Sequence, residues 1–314
     1  MKKTVSVIGA LNVDLIIRGN APTNMDDLVK WTGASEVWCI TAGSVGYLIQ
    51  DLIKLGFKVN VLSTTSDDPF SLIIRDSLKK LGINTDFIRR EENTLSGIGI
   101  YILLFGSNKR PLTYRIPTHN LWGPKFTKEE IEFAISADHL HCGGYLHFPK
   151  CWGAPTIEVF QKAKENGLTT SLDPQFPLHP LQEPWIKHMK NLLKYVDIIM
   201  VDENEAINST HADSLEEAAN IFLKQGPDIV AIKLGSQGCF VKSKTQPLKK
   251  PAIPVENIID TIGAGDAFDS GLITGYLEGM SLDEMVDMAL KIASYSIQGV
   301  GGTEAIPYRK DIHF

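Results

Sequence analysis

The chain has 314 residues, 43% of them apolar and 22% charged, a composition that fits a folded globular protein and excludes disorder and collagen-like repeats. Its 31 Lys and Arg against 37 Asp and Glu leave a net charge of −6 with no basic stripe, which excludes nucleic acid as the expected partner. No apolar run reaches the roughly 18 residues of a membrane span, and the N-terminal residues lead straight into a strand pattern, so no membrane partner and no export signal are expected.

The first strand is expected over 5–9, and 13–40 reads as strand after strand joined by turn residues, with no helix. A helix over 46–55 puts Leu48, Ile49, Leu52 and Ile53 on one face, with Gly56 placed to end it. A strand follows at 59–63. Residues 95–118 read as a hairpin, 96–105 turning through Gly106-Ser107-Asn108-Lys109 into 111–116. Capping boxes at Thr127/Glu130, Ser214/Glu217 and Ser281/Glu284 announce helices, and strands at 168–172, 197–201 and 229–234 fall between them. The C-terminal part thus reads as regular βαβ units. The whole of 1–314 reads as one α/β domain: a parallel sheet covered by helices on both faces, with a small sheet from about 13–40 and 95–118 projecting as a lid. His139, His141 and His147 cluster around Cys142, but strand alternation explains them better than a zinc site. The four cysteines include no C-x-x-C pair, which suits a reducing, cytoplasmic setting.

The segment Asp260-Thr261-Ile262-Gly263-Ala264-Gly265-Asp266-Ala267-Phe268 carries the chemistry. Two glycines before a helix let the N–H groups of Ala264, Gly265 and Asp266 converge where the helix dipole favours negative charge, an anion hole. A carboxylate at its rim would repel a bound anion, yet it suits a base that takes a proton from an attacking hydroxyl. Gly263, Ala264, Gly265 and Asp266 are therefore the candidate catalytic residues for phosphoryl transfer to an alcohol; the other reading is a glycine-rich turn in which Asp266 only starts the helix. Neither G-x-G-x-x-G nor G-x-x-x-x-G-K-[ST] occurs, so the dinucleotide and P-loop fingerprints are both missing.

The same segment resembles the D-T-x-G-A-G-D-x-F signature of the ribokinase family of carbohydrate kinases (PfkB-type). That resemblance implies a ribokinase-like three-layer αβα sandwich with a small β-sheet lid, and ATP-dependent transfer of the γ-phosphate to a hydroxyl of a sugar or polyol. Gly9-Ala10-Leu11-Asn12-Val13-Asp14 resembles the family's sugar-contacting G-x-x-N-x-D, which makes Asn12 and Asp14 substrate candidates. Ala42-Gly43-Ser44-Val45-Gly46-Tyr47 resembles G-G-x-x-x-N, so Gly43, Ser44 and Tyr47 join them; Tyr47 replaces a substrate-binding asparagine, and it either faces a bulkier acceptor or packs. Asp202 and Glu205 match the N-x-x-E region and would hold hydrated Mg²⁺, or simply start a helix. Lys233-Leu234-Gly235-Ser236-Gln237-Gly238 resembles T-L-G-x-x-G, with Lys233 departing from the threonine and either offering charge to a phosphate or standing exposed in a turn, and Gly302 lies in a segment that resembles the family's terminal adenine loop; with Asp202, Gly263 and Gly265, the residues Lys233, Gly235, Gly238 and Gly302 would border the nucleotide. Ala305 lacks a hydroxyl found in some relatives, so a monovalent cation remains possible only through carbonyls such as those of Asp260 and Ile262. Arg110, Tyr114 and Asn120 resemble lid residues that cover the sugar, and Trp38 and Tyr101 are aromatic residues on strand-like segments that stack on it or pack. A monomer or a homodimer is expected. Two alternatives stay open: a nucleoside kinase of the same family, and a degenerate relative that senses sugar or nucleotide.

Overall fold

The computed structural model describes residues 2–19, 24–30, 36–103, 112–119 and 125–313. Arg110 and Asn120 lie outside the described residues. The strands are β1 (Thr4–Ile8), β2 (Asn12–Arg18), β3 (Glu36–Ala42), β4 (Lys58–Thr65), β5 (Ile88–Arg90), β6 (Gly97–Leu103) and β7 (Leu112–Arg115). They continue as β8 (His139–Gly143), β9 (Thr169–Asp173), β10 (Ile198–Asp202), β11 (Ile229–Lys233), β12 (Cys239–Ser243) and β13 (Pro247–Lys250). The helices are α1 (Met25–Lys30), α2 (Gly46–Lys54), α3 (Pro69–Lys80), α4 (Lys128–Ile135) and α5 (Ala154–Glu165). They continue as α6 (Ile186–Met189), α7 (Glu203–Thr210), α8 (Leu215–Leu223), α9 (Ala264–Glu278) and α10 (Leu282–Ser296).

The main sheet has the order β13-β12-β11-β10-β9-β8-β1-β4-β5. Strand β1 sits inside it, parallel to both β4 and β8, which is why Val5, Val7 and Ile8 are all buried: a parallel sheet is covered on both faces. Alternation along β10 and β11 shows the two faces. Ile198, Met200, Ile229 and Ala231 pack with α2, α9 and α10, whereas Ile199, Val201, Val230 and Ile232 pack with α4, α5, α7 and α8. The expected three-layer αβα sandwich is the observed one.

A second sheet, β3-β2-β6-β7, gathers both strand-rich stretches. The hairpin expectation holds for β6 and β7, which pair antiparallel from Ile98↔Arg115 to Tyr101↔Leu112. Two expectations are corrected. Residues 25–30 form a short helix with no buried residue, so apolar periodicity could not announce it. The C-terminal part is not regular βαβ: β12 and β13 run antiparallel at the sheet edge, joined to β11 through a tight turn at Gly238. The capping boxes at Thr127/Glu130 and Ser281/Glu284 are reciprocal, while Ser214 caps α8 alone because Glu217 bonds the N–H of Asp213 instead.

Candidate active site

The site lies at the C-terminal ends of the parallel strands, where an open α/β sheet leaves a crevice. Two cavities meet there. One, of ≈ 400 Å³, lies between the small sheet and the body; the other, of ≈ 580 Å³, lies over β9–β11 and α10. Thr261, Ala264, Gly265 and Asp266 line both, so the N-terminus of α9 is their shared wall.

In the first cavity Asp14 is held by two neighbours: the Tyr47 hydroxyl donates to Oδ2 at 2.7 Å and the Asn12 amide to Oδ1 at 3.1 Å. Tyr47 is buried, and its ring lies against Gly263. Burial and the neighbouring Asp14 push its phenol well above the usual range, which keeps it a donor. Tyr47 thus packs, the second of its two sequence readings, and it also fixes a polar group of the cavity that it lines. Asn12 Oδ1 is buried without a hydrogen-bond partner among the described residues, an acceptor left for something in the cavity. Gly43 has φ +100°, and a Cβ there would come within 2.5 Å of the Ala10 carbonyl and 2.6 Å of Asn12 Oδ1. The Ser44 hydroxyl accepts from the Ala10 N–H at 2.7 Å, tying the turn after β1 to the start of α2. Tyr101 and Tyr114 line this cavity; Trp38 instead packs on the small cluster of Ile16, Ala42, Tyr47, Ile262 and Val300.

The α9 turn begins at Gly263, whose φ of +73° a glycine adopts without strain. Asp260 braces it by accepting from the N–H groups of Ile262 (2.9 Å) and Gly301 (3.0 Å). Gly302, expected beside the nucleotide, packs on the turn, where a Cβ would come within 2.6 Å of the Ile262 carbonyl. Lys54 holds the same loop through the carbonyls of Thr303 (2.6 Å), Ile306 (2.9 Å) and Glu304 (3.0 Å). Inside the first turn, burial and then the charge of Asp173 push the Asp266 carboxyl up to about 7, with Lys233 pulling the other way. A carboxyl so tuned suits a general base at neutral pH.

Lys233 lines the second cavity with Gly235 and Gly238, but its ammonium is already engaged. It reaches Asp173 Oδ2 at 2.9 Å and both Asp269 oxygens at 3.1 and 3.2 Å. Burial opposes its charge, but Asp173, Asp269 and Glu205 outweigh burial and hold the pKa well above the ordinary value. Asp202 and Glu205 form a reciprocal capping box on α7, each bond 2.7 Å, so the helix-start reading is realised. That box uses one oxygen of each carboxylate. Burial and then Asp173 raise Glu205 to about 8, the condition of a carboxyl that a nearby cation would ionise. The pair therefore fits a hydrated divalent ion, which needs few protein ligands.

His139 and His141 are core residues, bonded to the hydroxyls of Thr169 and Ser171. Sequence reasoning missed Asp173, Asp269 and Gln175. Asp269 lies one helical turn after Asp266, and Asp173 ends a strand whose successors also end at the crevice; spacing of that kind was the available signal. It also missed Asp51, fully buried on α2 without a hydrogen-bond partner among the described residues; burial and then Asp266 push its pKa well up, with Lys54 pulling the other way.

The model of the pfkB family of carbohydrate kinases matches residues 2–309. A 2-dehydro-3-deoxygluconokinase from Bacillus subtilis is 27% identical over 86% of this chain and 85% of its own length. A ribokinase of Arabidopsis thaliana, solved with ribose and ATP, superposes with a TM-score of 0.78 at 21% identity, covering 99% of this chain and 97% of the other. A protein from E. coli described as a putative ribokinase II, solved with ATP and Mg²⁺, gives 0.77 at 18% identity, covering 99% and 97%. With the family model spanning nearly the whole chain around a bifurcated crevice of this kind, the protein belongs to the pfkB family of carbohydrate kinases.

Proposed function

We propose that the protein transfers the γ-phosphate of ATP to a hydroxyl of a sugar or polyol, with Asp266 as general base. The observation that carries this reading is the shared wall: Thr261, Ala264, Gly265 and Asp266 line both cavities at the N-terminus of α9. An acceptor hydroxyl in the first cavity and a phosphate chain in the second would thus reach the same carboxylate and the same helix terminus. Asp14, oriented by Tyr47 and Asn12, accepts hydrogen bonds from the acceptor's other hydroxyls. Gly43 and Ser44 shape the backbone beneath it. Gly235 and Gly238 border the nucleotide, and Ile253, Ile258, Leu290 and Ile297 offer an apolar wall for its base. Asp202 and Glu205 would hold Mg²⁺, which supplies charge neutralisation on the phosphates when bound. Asp266 takes the proton of the attacking hydroxyl, and the 264–266 N–H groups stabilise charge on the transferred group.

The aromatic lining of the first cavity by Tyr101, Tyr114 and Phe148 favours, as a second reading, a nucleoside acceptor. ADP release with Mg·ATP, followed across pentoses, hexoses, sugar acids, polyols and nucleosides, separates the two. Asp266→Asn is expected to lower kcat by about 10²–10⁴-fold on the active acceptor without loss of folding. Unchanged turnover in that variant would remove Asp266 as base; ligand binding without turnover across the panel would favour a sensor.

A further inference from the structure

Apart from the segment 261–266, Gln175 is the one described residue that lines both cavities. It stands two residues after the end of β9. Its backbone has φ +55°, a left-handed conformation in which Gly or Asn is the economical choice and a glutamine is uncommon. Two bonds hold it there. Asp173 Oδ1 accepts from the Gln175 N–H at 3.1 Å, and the Gln175 side-chain Nε2 donates to the Ser44 carbonyl at 3.2 Å. Asp173 is in turn the carboxylate paired with Lys233, so the turn at 175 is anchored to the ion cluster beneath the second cavity and to the floor of the first.

We infer that Gln175 is a further catalytic residue, whose carboxamide contacts the phosphoryl group as it passes between the two cavities. The inference rests on the phosphotransfer reading and adds a residue to it. The chemistry of the surroundings supports it. Asp173, Asp202, Glu205 and Asp266 also line the second cavity, and each, when ionised, repels a phosphate. Gln175 is uncharged there, and one N–H of its amide remains after the bond to Ser44. A neutral donor on the lining common to both cavities would add to the N–H groups around a group in transit, where donors stabilise developing charge. An amide kept in an unfavourable backbone conformation between two cavities is also the kind of strain that gathers at functional positions.

Gln175→Gly separates this role from backbone strain, because glycine adopts φ +55° freely while giving up the bond to the Ser44 carbonyl. Wild type and Gln175→Gly are assayed in parallel with Mg·ATP and the active acceptor, with thermal unfolding as a control on folding. The expected result is a melting temperature within a few degrees of wild type, kcat lower by about 10²–10³-fold, and KM for both substrates within about threefold. Gln175→Glu, which keeps the shape and adds a charge, should lose at least as much. A kcat within twofold of wild type for Gln175→Gly overturns the assignment, as does a loss confined to KM for the acceptor. Absence of transfer by the wild type itself refutes the phosphotransfer reading instead, and the assignment with it.

Discussion

Asp266 differs from the other acids of the crevice in what its surroundings do to its proton. Its carboxyl is pushed up to about 7 from an ordinary 3.8, so the base proposed above would titrate near neutral pH. The acceptor-side kcat/KM should therefore climb about tenfold per pH unit below 7 and flatten above it; a rate indifferent to pH between 5 and 7 would contradict the assignment. The same shift acts on stability with the opposite sense. A carboxyl whose folded pKa is raised stabilises the native state most at low pH, and that contribution is lost as pH rises through about 7. The ligand-free protein should lose about 4 kcal/mol from this group between pH 4 and 8, a loss that Asp266→Asn abolishes in denaturant titrations. Residue types at this scale were legible in the sequence, but their engagements were not. Lys233 reads as a free cation beside a phosphate until Asp173 and Asp269, distant in the chain, are brought against it. Tyr47 reads as a substitution until its hydroxyl is seen to hold Asp14.

Elements were legible wherever the signal was local. The 46–55 periodicity and Gly56 correspond to α2, and the capping residues mark α4, α8 and α10, because cap chemistry is settled within four positions. The edge strands β12 and β13 were missed because their identity depends on pairing with β11 and on lysines that find distant acids, Lys242 with Glu216 and Lys250 with Asp287. A joint between the two sheets shows how elements cooperate. Asp68 caps α3, accepts from the Ser66 and Ser96 hydroxyls, and meets Arg115 of β7 at 2.7 Å. Those hydrogen bonds overcome its burial and hold its carboxyl down to about 2, so this support persists until strongly acid pH and is lost below it. Asp68→Ala removes a cap and a partly exposed ion pair together, at a cost of about 1–3 kcal/mol. Amide exchange should quicken in β6 and β7 as well as in α3; acceleration in α3 alone would mean the joint does not tie the sheets.

The molecule as a whole divides its labour between the two sheets. Asp14 of β2, Tyr101 of β6 and Tyr114 of β7 reach the first cavity from the small sheet, while the second is built from the body alone. An acceptor should therefore slow amide exchange in β2, β6 and β7, and a non-hydrolysable ATP analogue without acceptor should slow it only around β10, β11 and α10; equal protection of the small sheet by the analogue would contradict this division. The order of the parts along the chain adds a temporal consequence. A ribosome releases Asn12, Asp14, Gly43 and Tyr47 early, but the turn at 263–266 and the loop that Lys54 clamps are made only after both flanks of the main sheet. A nascent chain halted before α9 would carry part of the first cavity, a lysine without the carbonyls it clamps and no Asp266. Synthesis itself thus withholds the shared wall of the two cavities until the strands of the main sheet have been made.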